Sequence, residues 1–169
     1  MARAASCWTF GARYLYSPNL LAREHLMSVS ARELIENFWN DLYSHDWDRV
    51  ASYFGPDSHY EDVPAPDAGA DGPDNIVKRL RIGLDGIEKH VHHLHRMVAE
   101  GDTVVTEHTE DWHFHTGEVV KLPFVTIQVV AGDRIKLWRD YWDLGTLMNG
   151  APGWWLERLA GASEADFTG

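Results

Sequence analysis

The chain has 169 residues, of which 44% are hydrophobic, and it carries 15 Lys and Arg residues against 26 Asp and Glu residues. This length suits a single domain of ordinary size, and the apolar fraction is large enough for a buried core. A formal net charge of −11 argues against binding to nucleic-acid phosphates. The single cysteine, Cys7, excludes an internal disulfide and a Cys-rich zinc site, which fits a cytoplasmic location.

The N-terminal segment differs from the rest of the chain. It carries three arginines among aromatic residues and lacks the continuous apolar stretch of a secretory signal. No apolar run approaches the roughly 18 residues that a membrane span needs. We therefore expect a poorly ordered leader over 1–27, one domain over 28–160 and a frayed tail over 161–169, with no membrane partner.

The first part of the domain has helical patterns. Ser30 and Glu33 form a capping box, and apolar residues at helical spacing then predict a helix over 31–44. A second, shorter helix is predicted from Trp47 to Phe54. These helices are predicted to bury Leu34, Ile35, Phe38, Trp39, Leu42, Val50 and Phe54.

A less regular segment separates these helices from the next one. We predict a turn at 55–57, an extended piece at 58–63 and a loop over 64–73, where Pro, Gly and Asp are frequent. Ile76, Leu80 and Leu84 then predict a third helix that ends near Gly86.

The second half of the domain has strand patterns. Residues 87–99, 103–115, 118–131 and 134–143 alternate or are β-branched, and Gly-containing turns separate them. This order predicts an antiparallel meander of four strands, followed by a last helix over 154–159. Helices followed by a run of strands indicate an α+β fold. A curved antiparallel sheet covered by N-terminal helices forms a cone, and the many aromatic residues predict a cavity inside it.

Alternation along the strands predicts which side chains face that cavity. The set that shares the inner face comprises Thr106, His108, Glu110, Trp112, Leu122, Phe124, Thr126, Trp138, Asp140 and Trp142. The opposite phase would place Glu107, Thr109 and Asp111 inside, but it would expose Trp112 and Phe114. The favoured phase brings His108, Glu110 and Asp140 together. Two carboxyl groups that share a buried site push their pKa values apart, so one can be protonated while the other is ionised.

Two segments carry a resemblance to a known family. Gly132-Asp-Arg-Ile-Lys-Leu-Trp-Arg-Asp-Tyr-Trp-Asp143 resembles the last strand of the limonene-1,2-epoxide hydrolase family, and Val104-Val-Thr-Glu-His-Thr-Glu110 resembles its strand with an Arg and an acid. The match extends over roughly residues 30–148. It implies the cone-shaped α+β fold shared with ketosteroid isomerase and nuclear transport factor 2, usually as a homodimer. It also implies one-step hydrolysis of an epoxide without metal or cofactor.

The resemblance also assigns roles. The family's ionised Asp, which takes a proton from water, matches Asp140, and its Trp and Tyr match Trp138 and Tyr60. Three other positions of the family differ in this chain. Asp62 stands at the position of the family's Asn, His108 at that of its Arg, and Glu110 at that of its protonated acid. A cationic His108 between two carboxylates could replace the Arg, whereas an ionised Asp62 cannot donate the hydrogen bond of an Asn. The predicted apolar wall consists of Trp112, Leu122, Phe124 and Trp142.

Other functions of the same fold remain open. Phe54-Gly-Pro-Asp-Ser-His-Tyr-Glu-Asp62 resembles the segment that presents the base of ketosteroid isomerase, with Asp62 at the position of that base. Phe38 occupies the place of that family's helix Tyr. Polyketide cyclases of the same superfamily use an acid on the last strand, which corresponds to Asp140. A binding module that holds an apolar ligand is a further alternative.

A His-rich strand is the last feature. Alternation places His90 and His92 on one face and His93 and His95 on the other. Two i,i+2 pairs could chelate a divalent ion, but no Cys and no clear third ligand accompany them. We therefore predict an exposed or interface-facing strand and no metal. A small apolar substrate and a second copy of the chain are the expected partners.

Overall fold

The computed structural model describes residues 29–65 and 69–161. The leader predicted over 1–27 and nearly all of the tail predicted over 161–169 lie outside these residues. Of the helices described, none has both the length and the apolarity that a membrane span requires.

Two N-terminal helices begin at side-chain caps. Helix α1 spans Ala31–Tyr43, and the Ser30 hydroxyl accepts a hydrogen bond from the Glu33 amide at its start. Helix α2 spans Trp47–Ser52 and is capped by Asp46. The apolar face predicted for α1 is buried, so the sequence pattern predicted this helix correctly.

The prediction that α2 continues to Phe54 is wrong, because strand β1 begins there and spans Phe54–Asp62. Pro56 disfavours a helical conformation at the preceding Gly55, and Phe54 pairs in parallel with Ile135. The turn predicted at 55–57 is also wrong. These residues lie within β1, where a register shift between Phe54 and His59 absorbs them.

The loop predicted over 64–73 is shorter in the structure, although residues 66–68 lie outside the description. A short strand β2 spans Ala70–Asp71, and helix α3 spans Gly72–Leu84. Pro73 lies in the first turn of α3, where a missing amide hydrogen costs no helical hydrogen bond. The helix therefore starts inside the segment whose composition predicts a loop, and it ends slightly before the predicted Gly86.

One six-stranded sheet forms the body of the fold. Strands β3 (Ile87–Glu100), β4 (Thr103–Phe114), β5 (Val119–Ala131) and β6 (Arg134–Trp142) form the predicted antiparallel meander. The strand order is β2-β1-β6-β5-β4-β3. Because β1 pairs in parallel with β6, the sheet is mixed and not purely antiparallel. This pairing was missed, and it places Asp62 beside Asp140.

Two helices follow the sheet. Helix α4 spans Leu144–Gly150 and was not predicted, although Asp143 accepts hydrogen bonds from the amides of Gly145 and Thr146 at its start. Helix α5 spans Gly153–Gly161, somewhat longer than the predicted 154–159. The indole of Trp155 donates a hydrogen bond to the Gly83 carbonyl at 2.9 Å, which ties α5 to the end of α3.

The helical layer and the sheet meet at Phe38, which is fully buried. Its ring lies edge-on to Tyr53, Phe54 and Trp138, with centroid distances of 5.4, 5.7 and 5.0 Å. Edge-to-face aromatic packing of this kind stabilises a core beyond the burial of apolar area. Phe38 thus joins α1 to both strands that carry Asp62 and Asp140.

Replacing Phe38 with Ala is expected to lower the free energy of unfolding by about 3–5 kcal/mol, because it leaves a cavity among three aromatic rings. Urea unfolding followed by tryptophan fluorescence measures the change. Val98, which is 63% exposed, provides the control, and Val98→Ala should change stability by less than about 0.5 kcal/mol. Equal losses in both variants would contradict the central role of Phe38.

Candidate active site

A cavity of about 100 Å³, partly open to solvent, lies between the sheet and helices α3 to α5. Its wall is mainly apolar and aromatic, which suits a mainly apolar small molecule. The polar side chains that line it are Tyr60, Asp62, Arg79, His90, Glu110 and Asp140. Three carboxyl groups therefore face one small space.

The predicted inner face of the sheet is the observed one. Burial alternates along β4, so Thr106, His108, Glu110 and Trp112 are buried while the residues between them are partly exposed. Of the predicted apolar wall, Trp112, Phe124 and Trp142 line the cavity. Leu122 is fully buried on the same face of β5 but is not among the described residues that line the cavity.

Asp140 lies on β6 at the floor of the cavity and is 4% exposed. One of its oxygens, Oδ1, accepts hydrogen bonds from the Thr126 hydroxyl at 2.6 Å and the Trp138 indole at 2.7 Å. The other, Oδ2, lies 3.5 Å from the Tyr60 hydroxyl. Burial, together with the charge of neighbouring Asp62, raises the pKa of Asp140 well above its usual range. Burial and the charge of Asp62 thus both favour the protonated form of Asp140.

Glu110 lies on β4 and is surrounded by donors. Its Oε1 accepts from the Tyr43 hydroxyl at 2.5 Å, and its Oε2 accepts from the Trp112 indole and lies 2.7 Å from His90 Nε2. Burial opposes ionisation, but the His90 and His108 imidazoles outweigh it and hold the pKa of Glu110 well below its usual range. Glu110 is therefore ionised.

Asp62 is neutralised by a residue that the sequence reading missed. Arg79, on α3, donates to Asp62 Oδ2 at 2.6 Å, and the Trp142 indole donates to Oδ1 at 2.8 Å. The Arg79 side chain is only 11% exposed. Tyr60, two residues before Asp62, keeps its proton because burial and the charges of Asp62 and Asp140 raise its pKa well above the usual value.

His108 does not lie where the resemblance to the hydrolase family implied. Its Nε2 is 3.4 Å from Glu110 Oε1, and its ring stacks on Phe124 with a centroid distance of 5.1 Å. It is 1% exposed and is not among the described residues that line the cavity. His108 thus contacts Glu110 from a buried position and does not reach the cavity surface.

The His-rich strand β3 has its two pairs on opposite faces, as alternation predicts. His93 and His95 are exposed beside Asp111 and Thr109. On the other face His92 stacks on Tyr43, and the side chain of His90 is 2% exposed. The side chain of His90 is therefore buried and His92 is half-buried, so the expected exposure holds for His93 and His95 and not for His90. In the described chain, no group of three or more His, Cys, Asp and Glu side chains is arranged to hold a metal ion.

Comparison with known families bears directly on this site. The family model of the SnoaL-like domain matches residues 31–138. This range extends from the start of helix α1 into strand β6. The chain belongs to the SnoaL-like domain family.

Relatives of this SnoaL-like chain have been assigned activities. It is 32% identical over 117 residues to the epoxide hydrolase EphG of Mycobacterium tuberculosis. The aligned region covers 69% of this chain and 75% of that protein. A solved M. tuberculosis epoxide hydrolase described as LEH-like superposes with a TM-score of 0.62 and 28% identity, covering 79% of this chain and 94% of that one. These matches agree with the resemblance found in the sequence.

Another solved relative shares the fold alone. A Shewanella putrefaciens protein described as a SnoaL-like polyketide cyclase has a TM-score of 0.66 at 18% identity, covering 71% of this chain and 94% of that one. The SnoaL-like chain thus has the nuclear transport factor 2-like α+β fold, with an open, curved, mixed sheet.

The ion pair between Arg79 and Asp62 can be tested by stability. Arg79→Met leaves a buried carboxylate without its cation and should lower the free energy of unfolding by about 3–5 kcal/mol. Adding Asp62→Asn should recover part of that loss, because the two substitutions are coupled. The exposed pair of Arg96 and Glu107 supplies the control, and Arg96→Met should cost about 0–1 kcal/mol. No recovery in the double variant would contradict the pairing.

The raised pKa of Asp140 predicts a pH dependence of stability. In the unfolded chain this carboxyl group loses its proton near its ordinary pKa of 3.8, whereas the folded chain retains the proton. Stability contributed by Asp140 is therefore lost as the pH rises above about 4. Relative to the wild type, Asp140→Asn should become steadily more stable in urea titrations as the pH rises above about 4, while Asp133→Asn in the exposed β5–β6 turn should not. A difference that shrinks with pH would show an Asp140 that is ionised when folded.

Proposed function

We propose that this chain is an epoxide hydrolase that opens a small, mainly apolar epoxide with water, in one acid–base step and without a cofactor. The observation that carries the proposal is that two buried carboxyl groups with opposite surroundings line one apolar cavity. Burial and the charge of Asp62 raise the pKa of Asp140, whereas the His90 and His108 imidazoles beside Glu110 lower its pKa. Epoxide opening needs a proton donor at the ring oxygen and a proton acceptor for the attacking water, so the cavity holds both kinds of group. The similarity to EphG supports the same activity.

Asp140 is suited to donate the proton. Two short hydrogen bonds from Thr126 and Trp138 end on Oδ1, which leaves Oδ2 to carry the proton. The Tyr60 hydroxyl, 3.5 Å from Oδ2, is a second donor in the same place. As the C–O bond of the epoxide breaks, the proton on Oδ2 moves to the ring oxygen, which becomes a hydroxyl group of the diol. Asp140 is left as the carboxylate until it is reprotonated from solvent.

Glu110 supplies negative charge at another side of the cavity. Water that attacks the epoxide carbon becomes positively charged as the new C–O bond forms. A fixed anion close to that water stabilises the transition state because the apolar wall excludes other water. The roles proposed for Asp140 and Glu110 are the reverse of those implied by the resemblance, in which Asp140 is the base and Glu110 the acid.

Product analysis tests the proposed reaction. Incubation of the chain with a panel of terpene and styrene-type epoxides in ¹⁸O-labelled water should give a diol with one labelled oxygen. Asp140→Asn cannot donate a proton and should lower kcat by about 10²–10⁴-fold. Glu107→Gln, on the outer face of β4, is the matched control and should retain wild-type kcat. Absence of diol from every epoxide would overturn the proposed function.

The pH profile of kcat/KM distinguishes the two assignments of Asp140. If Asp140 is the acid, the rate falls on the alkaline side, because the group must be protonated. The Thr126 hydrogen bond lowers the pKa of Asp140, so Thr126→Val should move this alkaline limb to higher pH. If Asp140 is instead the base, the same variant should move the acidic limb.

The alternative activities use the same cavity. Proton exchange on a cyclic enone that is lost in Asp62→Asn would support an isomerase. Asp62 is hydrogen-bonded on both oxygens, by Arg79 and by Trp142, so neither oxygen is without a donor. Tight binding of an apolar ligand without turnover would favour a binding module.

The outer surface of the sheet is the expected contact area of a homodimer, because apolar side chains are exposed on it. Val119, Val125 and Tyr141 are each at least 40% exposed there. We propose that a second copy of the chain covers some of this area, and sedimentation velocity at several concentrations tests it.

A further inference from the structure

We propose that Gly83, on the cavity side of helix α3, determines how large an apolar group the substrate can carry. This inference deepens the proposed function and rests on it, because it concerns the substrate of the same cavity. It assigns to the site epoxides that carry a ring or a branched chain, with that group lying against Gly83.

Gly83 lies on the face of α3 that covers the cavity. Arg79, Leu80 and Leu84 of the same helix also line the cavity, as does Gly83 itself. These positions recur at the three- and four-residue spacing of one helical face. Gly83 is buried, so the space beside its Cα atom is not bulk solvent. A side chain at this position would therefore point into the cavity.

Close packing does not require a glycine here. Apart from its chain neighbours and the backbone of its own helix, a Cβ atom added to Gly83 would meet nothing within 4 Å. At Gly86, by contrast, an added Cβ atom would lie 3.0 Å from the Trp154 ring and 3.1 Å from the Trp155 ring. Packing against the two tryptophans thus accounts for Gly86, whereas Gly83 is buried beside empty space that belongs to the cavity.

The backbone does not require a glycine at this position either. Gly83 lies within α3 and is not one of the described glycines that have a positive φ. Its carbonyl accepts the Trp155 indole hydrogen bond at 2.9 Å, but a carbonyl is common to all residues. Glycine inside a helix is also less favourable than alanine. The missing side chain therefore costs helix stability and leaves the cavity larger.

The polarity of the cavity wall directs the apolar part of a substrate towards Gly83. Among the described residues that line the cavity, the polar side chains other than Arg79 come from strands, whereas the other helical residues are Leu, Gly and Trp. An epoxide whose oxygen lies at Asp140 on β6 therefore has its apolar group on the helix side. Because the cavity measures only about 100 Å³, a side chain at position 83 would compete with that group for space.

Substitutions of increasing size at Gly83 test the proposal. The measured quantity is kcat/KM for diol formation from styrene oxide, which carries a phenyl ring, and from 1,2-epoxypropane, which carries a methyl group. Since one methylene in an apolar pocket changes kcat/KM by about 10–200-fold, Gly83→Val should lower the value for styrene oxide by about 10-fold or more. Gly83→Ala should lower it by less. With 1,2-epoxypropane, both variants should stay within about threefold of the wild type, because a methyl group does not need that space.

Gly153→Val is the matched control. Gly153, at the start of α5, likewise has nothing within 4 Å of an added Cβ atom. It is exposed and is not among the described residues that line the cavity. The control should keep the wild-type ratio of the two kcat/KM values. A Gly83→Val enzyme that also keeps this ratio, or a wild type that hydrolyses 1,2-epoxypropane but not styrene oxide, would overturn the proposal.

Urea unfolding separates the fit of the substrate from the folding of the chain. Alanine and valine both have a higher helix propensity than glycine, and an added side chain at Gly83 meets no neighbouring element. The urea midpoints of Gly83→Ala and Gly83→Val should therefore be no lower than that of the wild type. A lowered midpoint in both variants would show that packing requires Gly83, and it would contradict the proposal.

Binding of cyclopropylbenzene supplies a measurement that does not depend on turnover, because a methylene group replaces the epoxide oxygen of styrene oxide. Titration of the wild type should give saturable NMR shifts of the α3 backbone amides, and Gly83→Val should raise the Kd by about 10-fold or more. No saturable shift in the wild type, or an unchanged Kd in the variant, would count against the proposal. A wild type that binds cyclopropylbenzene as expected but forms no diol from any epoxide would instead contradict the proposed function, so the two failures are distinguishable.

Discussion

Three carboxyl groups in one small apolar space form the constraint on which the site depends. Asp62, Glu110 and Asp140 are each at most 5% exposed, and three unscreened negative charges there would be very costly. The energetic cost of burying each carboxyl group is reduced in a different way. Arg79 pairs with Asp62, donors including His90 surround Glu110, and Asp140 keeps a proton. The chemistry of the cavity follows from this unequal distribution of cations, donors and protons.

That distribution is a consequence of the topology. Parallel pairing of β1 with β6 places Asp62 beside Asp140, so that the charge of one opposes ionisation of the other. Helix α3 crosses close enough for Arg79 to neutralise Asp62, and the last turn of α1 brings Tyr43 to Glu110. Helices α1 and α3 therefore each supply a polar group to a carboxylate on the sheet.

The sequence predicted those features of the site that follow from the side-chain alternation within a single strand. Alternation alone identified Glu110 and Asp140 as inward-facing, because a strand has a fixed period of two. His90, Arg79 and Tyr43 were missed as site residues because their roles depend on which elements pack together. Arg79 follows Ile76 by three residues and Tyr43 follows Trp39 by four, so helical spacing placed both near the buried face, but it did not indicate their partners. The resemblance indicated which strand position His108 occupies, but it did not indicate how deeply the side chain is buried. The expected place of His108 at the cavity surface therefore differs from the observed one.

The protonation of the two acids follows from where their donors lie. Glu110 receives hydrogen bonds on both oxygens, and only a carboxylate can accept at both without a proton in the way. Asp140 receives its two short bonds on one oxygen, an arrangement that the carbonyl oxygen of a neutral acid accommodates equally well. Its second oxygen is then the natural place for the proton. Burial and the charge of Asp62 raise the pKa of Asp140, and the distribution of donors leaves its Oδ2 without a short hydrogen bond, so that a proton can be held there.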